Sequence, residues 1–166
     1  MADTYDSIAT VTLSSAQSTI EFSAIPATFT DLRVVLNMAI NGTNGRTPQL
    51  RFNGDNAFNY AVARIEATGT ARNTSLGNSQ QSFNPWNWAP PANARARHLH
   101  VFDVLSYRSG FFPTILYAGG GGDSISRSIG RWASTSAVSS ITLLCSQGDS
   151  QFATGTVATL FGIQRF

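Results

Sequence analysis

These 166 residues contain no lysine, one cysteine (Cys145), two histidines (His98 and His100) and two glutamates (Glu21 and Glu66). A single cysteine excludes an intramolecular disulfide. The absence of lysine excludes a Walker-type phosphate loop, which ends in Gly-Lys-Ser/Thr, although Gly119 to Gly122 is a run of four glycines. Charge of either sign is scarce: 12 % of residues are Asp, Glu, Lys or Arg, about half the usual share. No apolar run approaches the roughly 20 residues that a membrane-spanning helix needs. The opening Met1-Ala2-Asp3-Thr4-Tyr5-Asp6 lacks the charged-then-apolar pattern of a secretory signal. The expectation is a soluble protein made in a cytosol.

All eleven basic residues are arginine, and the net charge is +2. Arginine presents a rigid fork of donors and sheds water more readily than lysine, which suits protein interfaces. Nucleic-acid binding calls for a clustered basic patch. Apart from Arg95 and Arg97, the arginines stand singly, so nucleic acid is not expected as a partner. A chain of this length forms one domain, here 1–166, and buries about 70 % of its unfolded surface without staples.

Apolar residues alternate with a period of two through most of the chain, the pattern of pleated strands. In 31–40, Leu32, Val34, Leu36, Met38 and Ile40 share one face. Residues 7–13 and 18–24 read as an N-terminal hairpin limited by Pro26, which has no N–H for a ladder. Residues 49–53 place Leu50 and Phe52 inward. Residues 59–67 admit a helix or a strand; the strand reading, with Tyr60, Val62, Arg64 and Glu66 on one side, is adopted. In 97–106, His98, His100, Phe102 and Val104 oppose Leu99, Val101, Asp103 and Leu105. Residues 110–118 form a strand that Pro113 assigns to an edge or bulge, and the four glycines after it form a tight crossing. In 124–132, Ile125, Arg127, Ile129 and Arg131 alternate with Ser126, Ser128, Gly130 and Trp132. Residues 138–145 and 156–163 read as two antiparallel strands flanking Ser146 to Gln151, the second closing the sheet. Eight to ten short strands with turn signals between them predict an all-β, single-domain antiparallel β-sandwich, with a jelly roll as the preferred topology.

One stretch breaks the pattern. From 69 to 97 the chain carries three prolines, two of the three tryptophans and a pair of arginines. A loop excursion this long inside a compact domain is usually functional or disordered. Its aromatic content argues against disorder and matches the composition of interface centres. Phe83, Trp86 and Trp88 are therefore candidate apolar anchors, with Arg95, Arg97 and Arg46 as candidate partners for acceptors on another chain. The alternative is that Trp86 and Trp88 fold back over an open end of the sandwich.

Signals for chemistry are weak. His98 and His100 point to one face, but no third metal ligand accompanies them locally. Cys145 lies on the apolar side of its strand, as an inert thiol would. No serine sits in a G-x-S-x-G elbow, and no pair of carboxylates stands out as acid and base. No catalytic residue, metal or cofactor is expected.

Three pieces carry a resemblance. One runs Trp132-Ala133-Ser134-Thr135-Ser136-Ala137-Val138-Ser139-Ser140-Ile141-Thr142-Leu143, continues into a Gly148-to-Phe152 loop and ends Leu160-Phe161-Gly162-Ile163. A second is Ile20 to Pro26 followed by Thr28 to Val34. The third is Arg51-Phe52-Asn53-Gly54-Asp55 followed by Asn59-Tyr60. Together they resemble small β-sandwich virion proteins of tailed bacteriophages, over about half of the chain. The Gly148–Phe152 loop departs from that pattern by two extra residues. The resemblance implies a structural protein of the virion, assembled in the bacterial cytoplasm. The expected role is a capsid decoration, or cement, protein: a homotrimer bound to the major capsid protein on the outside of the head. The alternative it leaves open is a tail or spike module, with Trp86 and Trp88 stacking on host-surface sugar and Asn84 and Asn87 bonding its hydroxyls.

Overall fold

The computed structural model describes residues 5–41, 47–69, 71–85, 97–108, 110–121, 124–145 and 150–164. Among them are thirteen strands and no helix: β1 (Tyr5–Thr12), β2 (Thr19–Phe22), β3 (Asp31–Met38), β4 (Ile40–Asn41), β5 (Gln49–Phe52), β6 (Tyr60–Thr68), β7 (Ala71–Gln80), β8 (His98–Leu105), β9 (Thr114–Gly121), β10 (Ser124–Trp132), β11 (Ile141–Leu144), β12 (Gln151–Phe152) and β13 (Val157–Ile163). Eight form one antiparallel sheet in the order β1-β13-β3-β8-β9-β10-β6-β7, three form a small sheet β2-β11-β5, and β4 pairs with β12.

The alternation in β3 sets the core. Leu32, Val34, Leu36 and Met38 are fully buried, between β13 on one side and β8 on the other. The small sheet closes over this face with Ile20, Phe22, Leu50, Phe52, Ile141 and Leu143, all in the same apolar cluster. Burying each such side chain contributes about 1.5–3 kcal/mol. The result is an all-β sandwich of unequal layers. A jelly roll shares eight strands between two sheets; here eight lie in one sheet and three in the other.

The three stretches of the resemblance meet in space. Asn53, at a left-handed φ of 51°, accepts hydrogen bonds from the Ser139 and Ser140 amides through its Oδ1 at 2.8 and 3.0 Å. Asp55 Oδ2 accepts from the Trp132 indole at 2.6 Å and from Asn59 Nδ2 at 2.8 Å, and its Oδ1 accepts from the Ala57 amide at 2.9 Å. Burial pushes the Asp55 carboxyl up, but these three donors outweigh burial and hold it below its ordinary range. The Phe52 amide donates to Tyr60 Oη at 2.8 Å. Tyr107 Oη accepts from the Phe29 amide and donates to the Pro26 carbonyl.

The pairing corrects several expectations. The N-terminal hairpin does not form: β1 pairs with β13 and β2 with β11, in different sheets. The Leu13 amide is taken by the Thr156 carbonyl and the Gln17 amide by the Phe152 carbonyl, so the chain crosses between layers where a tight turn was expected. The strands β11 and β13 likewise belong to opposite layers. The excursion from 69 to 97 contains β7. Gly69, at φ 50°, turns β6 back into it, and its small polar residues are tolerated because β7 is an edge with one solvated side. Pro113 does not mark an edge. It precedes β9, which lies centrally between β8 and β10. Gly119, Gly120 and Gly121 continue that strand instead of leaving it.

Candidate interaction surface

The large sheet presents two faces of different character at β6, β9 and β10. Its covered face there is crossed by the segment after β7. Phe83 pairs with Leu50 through both backbone groups, and its ring packs edge-on against Phe102 at 6.3 Å. Arg64 Nε donates to the Asn84 carbonyl at 2.6 Å, and Ser128 Oγ donates to the Pro85 carbonyl at 2.8 Å. This close layer leaves room only for small groups on β10. A Cβ on Gly130 would meet the Phe83 ring at 2.7 Å. Ser126, Ser128 and Gly130 therefore face inward with Trp132, and the bulkier Ile125, Arg127, Ile129 and Arg131 face out.

The outward set joins apolar side chains of neighbouring strands in register. Leu76 on β7 stands beside Ala63, then Ile129 and Leu116; Ile65 stands beside Arg127 and Ala118. Leu76 is 78 % exposed, Ile125 69 %, Ile65 65 % and Ile129 52 %. The short side chain of Ala63 among these larger neighbours forms the floor of a depression of about 810 Å³. Exposed apolar side chains grouped in this way make the face a candidate docking surface.

Charge on this face is of one sign towards β7. Arg72, Arg127 and Arg131 are exposed, and among the described residues none is in an ion pair. Arg131 lies over the Phe112 ring at 5.6 Å. The far end of the same face, at β3 and β8, carries the bidentate pair of Arg33 with Asp103, at 2.5 and 3.0 Å. That hydrogen-bonded pairing raises the Arg33 guanidinium above its ordinary value and ties up its charge. No protein-family model, curated protein or solved structure matches the chain.

A second constellation lies on the covered face. His100, Gly119, Ser126 and Glu66 stand opposite one another across four adjacent strands. His100 Nδ1 is 2.7 Å from Tyr117 Oη, and the His98, His100 and Tyr117 rings stack in series with centroids 6.3 and 5.9 Å apart. Burial drives the His100 imidazole down to about 3, with the neighbouring His98 adding to the effect; burial also lowers His98 and raises Glu66 and Tyr117. Among the described residues His100 Nε2 has no hydrogen-bond partner. Among the described residues no three His, Cys, Asp or Glu side chains are placed to hold a metal. The row is buried, with the two imidazole rings packed against glycines of β9.

The residues singled out from the sequence fall differently. Phe83 is a core side chain with no exposed surface, which removes it from the set of surface anchors: its backbone is stitched to β5 and its ring fills the space above Gly130. Arg97 is exposed and donates from Nη1 to the Gly155 carbonyl at 2.6 Å. Arg46, Trp86, Trp88 and Arg95 lie outside the described residues, as does Asn87. Asn84, the remaining residue of the sugar-binding alternative, is buried. Sequence reasoning missed the outer apolar face. The available signal was the phase of β10: Trp132 keeps step with the serines, so a buried tryptophan forces both isoleucines outward.

Proposed function

We propose that the protein is a structural component of a tailed-phage virion, a decoration protein that attaches to the outside of the assembled head and contacts the major capsid protein. The observation that carries this reading is the exposed apolar face of β6, β7, β9 and β10, a surface suited to adhesion. Scarce charge, an all-arginine cation set and the resemblance described above support it. On this reading the protein acts by mass action: it binds the assembled shell and not the dissociated subunits, and so shifts the equilibrium towards assembly. The aromatic arm with Trp86, Trp88 and Arg95, together with Arg46 and Arg97, is assigned to contacts with sister chains of a trimer or with the shell. No bond-making step enters this function.

Copy number provides the test. Quantitative mass spectrometry of purified virions is expected to give the protein in numbers comparable with the major capsid protein, and tailless heads should retain it. A few copies per particle, confined to tail fractions, would contradict the reading.

A further inference from the structure

The outer face carries more than a preference for apolar contact; its relief and its charge restrict what can dock there. The floor at Ala63 is walled by Ile65, Leu76, Leu116 and Ile129, with Arg127 beside Ile65. Arg127 and Ile129 are two residues apart on one strand, so their side chains leave the sheet about 6.6–7 Å apart. An occupant in extended conformation has the same repeat. It meets Ile129 and the Ala63 hollow with an aliphatic side chain and reaches Arg127 with the side chain two positions away.

Charge selects the occupant. Among the described residues the exposed ionic groups around the depression are Arg72, Arg127 and Arg131. Of the acidic groups on this side of the sheet at β3 and β8, Asp103 is held by Arg33 and Asp31 is buried. A second copy docking through the same surface would set arginine against arginine, and like charges at a contact oppose association. A nucleic acid would bring phosphates, but the side chains lining the depression between Arg127 and β7 are aliphatic, and the exposed ring beside these arginines, Phe112, is covered by Arg131. Among the described residues no strand pairs with the outer edge of β7. Its one charge is Arg72, near one end, and a bulge opposite Tyr60–Val62 disrupts the other end. The middle of the edge thus lacks the charges, prolines and bulges that normally block strand addition.

We infer that this face binds an extended segment of a different protein chain in which an aliphatic residue and an aspartate or glutamate stand two positions apart, on the same side of the segment. The aliphatic residues seat on Ala63, Leu76 and Ile129, and the carboxylates pair with Arg127 and Arg72. This deepens the attachment reading, sharing its premise that the face is a docking surface, and it specifies the chemistry that the shell must offer.

A displayed library of random dodecapeptides, selected on the immobilised full-length protein, tests the inference without any phage particle. Enriched peptides are expected to carry aliphatic and acidic residues two positions apart. They should bind at least about tenfold more weakly, a loss of about 1.4 kcal/mol, to Arg127→Glu and to Ile129→Asp. Exchanging the acidic residue of the peptide for lysine should restore binding to Arg127→Glu. Both side chains are exposed, so thermal unfolding of the variants should match the parent. The inference is overturned if no acidic-aliphatic pattern emerges, or if the selected peptides bind both variants as well as the parent. It is overturned equally if Ile129→Asp dissociates an oligomer of the protein in sedimentation, which would assign the face to a second copy. Binding of duplex DNA that Arg127→Glu abolishes would also overturn it. Successful selection combined with low copy number in virions would leave the peptide site standing and remove only the decoration role.

Discussion

Gly119→Val is expected to destabilise the protein by about 3 kcal/mol or more, towards the upper end of what overpacking a core costs. Gly119 lies directly opposite His100 across the β8–β9 ladder. A Cβ there would fall 2.5 Å from His100 Nδ1 and closer still to Tyr117 Oη. Neither group has freedom to retreat: His100 and Tyr117 are buried, bonded to each other and stacked. Gly121→Ala meets a similar obstacle, since its Cβ would lie 2.5 Å from His98 Nδ1. Gly54, with open space around its Cβ position, serves as the contrasting site, where the left-handed backbone alone sets the penalty. Urea unfolding followed by tryptophan fluorescence gives the comparison. Combining Gly119→Ala with Tyr117→Phe, which deletes the nearest obstructing atom, should cost less than the sum of the two single changes, as expected for residues in contact. Stability of Gly119→Val equal to that of the parent would mean that the glycines do not form the floor of the histidine stack.

Acid is expected to destabilise the fold well above the pH at which carboxylates titrate. The folded His100 imidazole takes its proton only at about 3, whereas an unfolded histidine does so near 6.5. A base whose value is depressed by folding contributes stability that is present above about pH 6.5 and lost as pH falls towards 3. The loss reaches about 2 kcal/mol by pH 5 and about 5 kcal/mol when complete. His98, also lowered by burial, acts in the same direction. Glu66 acts in the opposite one. Its carboxyl is raised by burial, so it regains its proton in the folded state first and offsets part of the loss near its own titration. Asp55, held below the ordinary carboxylate value, contributes only at more acidic pH. The urea midpoint should therefore decline between pH 6.5 and 5 in the parent and stay much flatter in His100→Gln, where the amide keeps a partner for Tyr117. Parallel pH profiles for the two proteins would contradict the burial of a neutral ring.

Much of the fold was legible because period-two alternation is a local property. The buried side of β3, the inward Leu50 and Phe52 of β5, and the face of β6 shared by Tyr60, Val62 and Glu66 follow from sequence spacing alone. Pairing was not legible, because it depends on which distant backbone groups meet. Nothing local in residues 13–18 announces that the Leu13 amide will be taken by Thr156, 143 positions away. The glycine run misled for a related reason. Consecutive glycines ordinarily signal a turn, and here Gly119 to Gly121 are strand residues, two of which, Gly119 and Gly121, face the His100 and His98 rings of the neighbouring strand. The outer face was hidden because the alternation in 124–132 does not by itself say which set of side chains points inward. The decisive influence, the Phe83–Pro85 segment lying over β10, comes from a part of the chain that the composition assigned to a surface arm.

Side-chain footprinting of the protein on intact virions, compared with the free protein, tests the central claim most directly. The account predicts that labelling of Ile65, Leu76, Ile125 and Ile129 falls strongly on the particle, because these exposed side chains are what adheres. Unchanged labelling of all four on particles that carry the protein would contradict it.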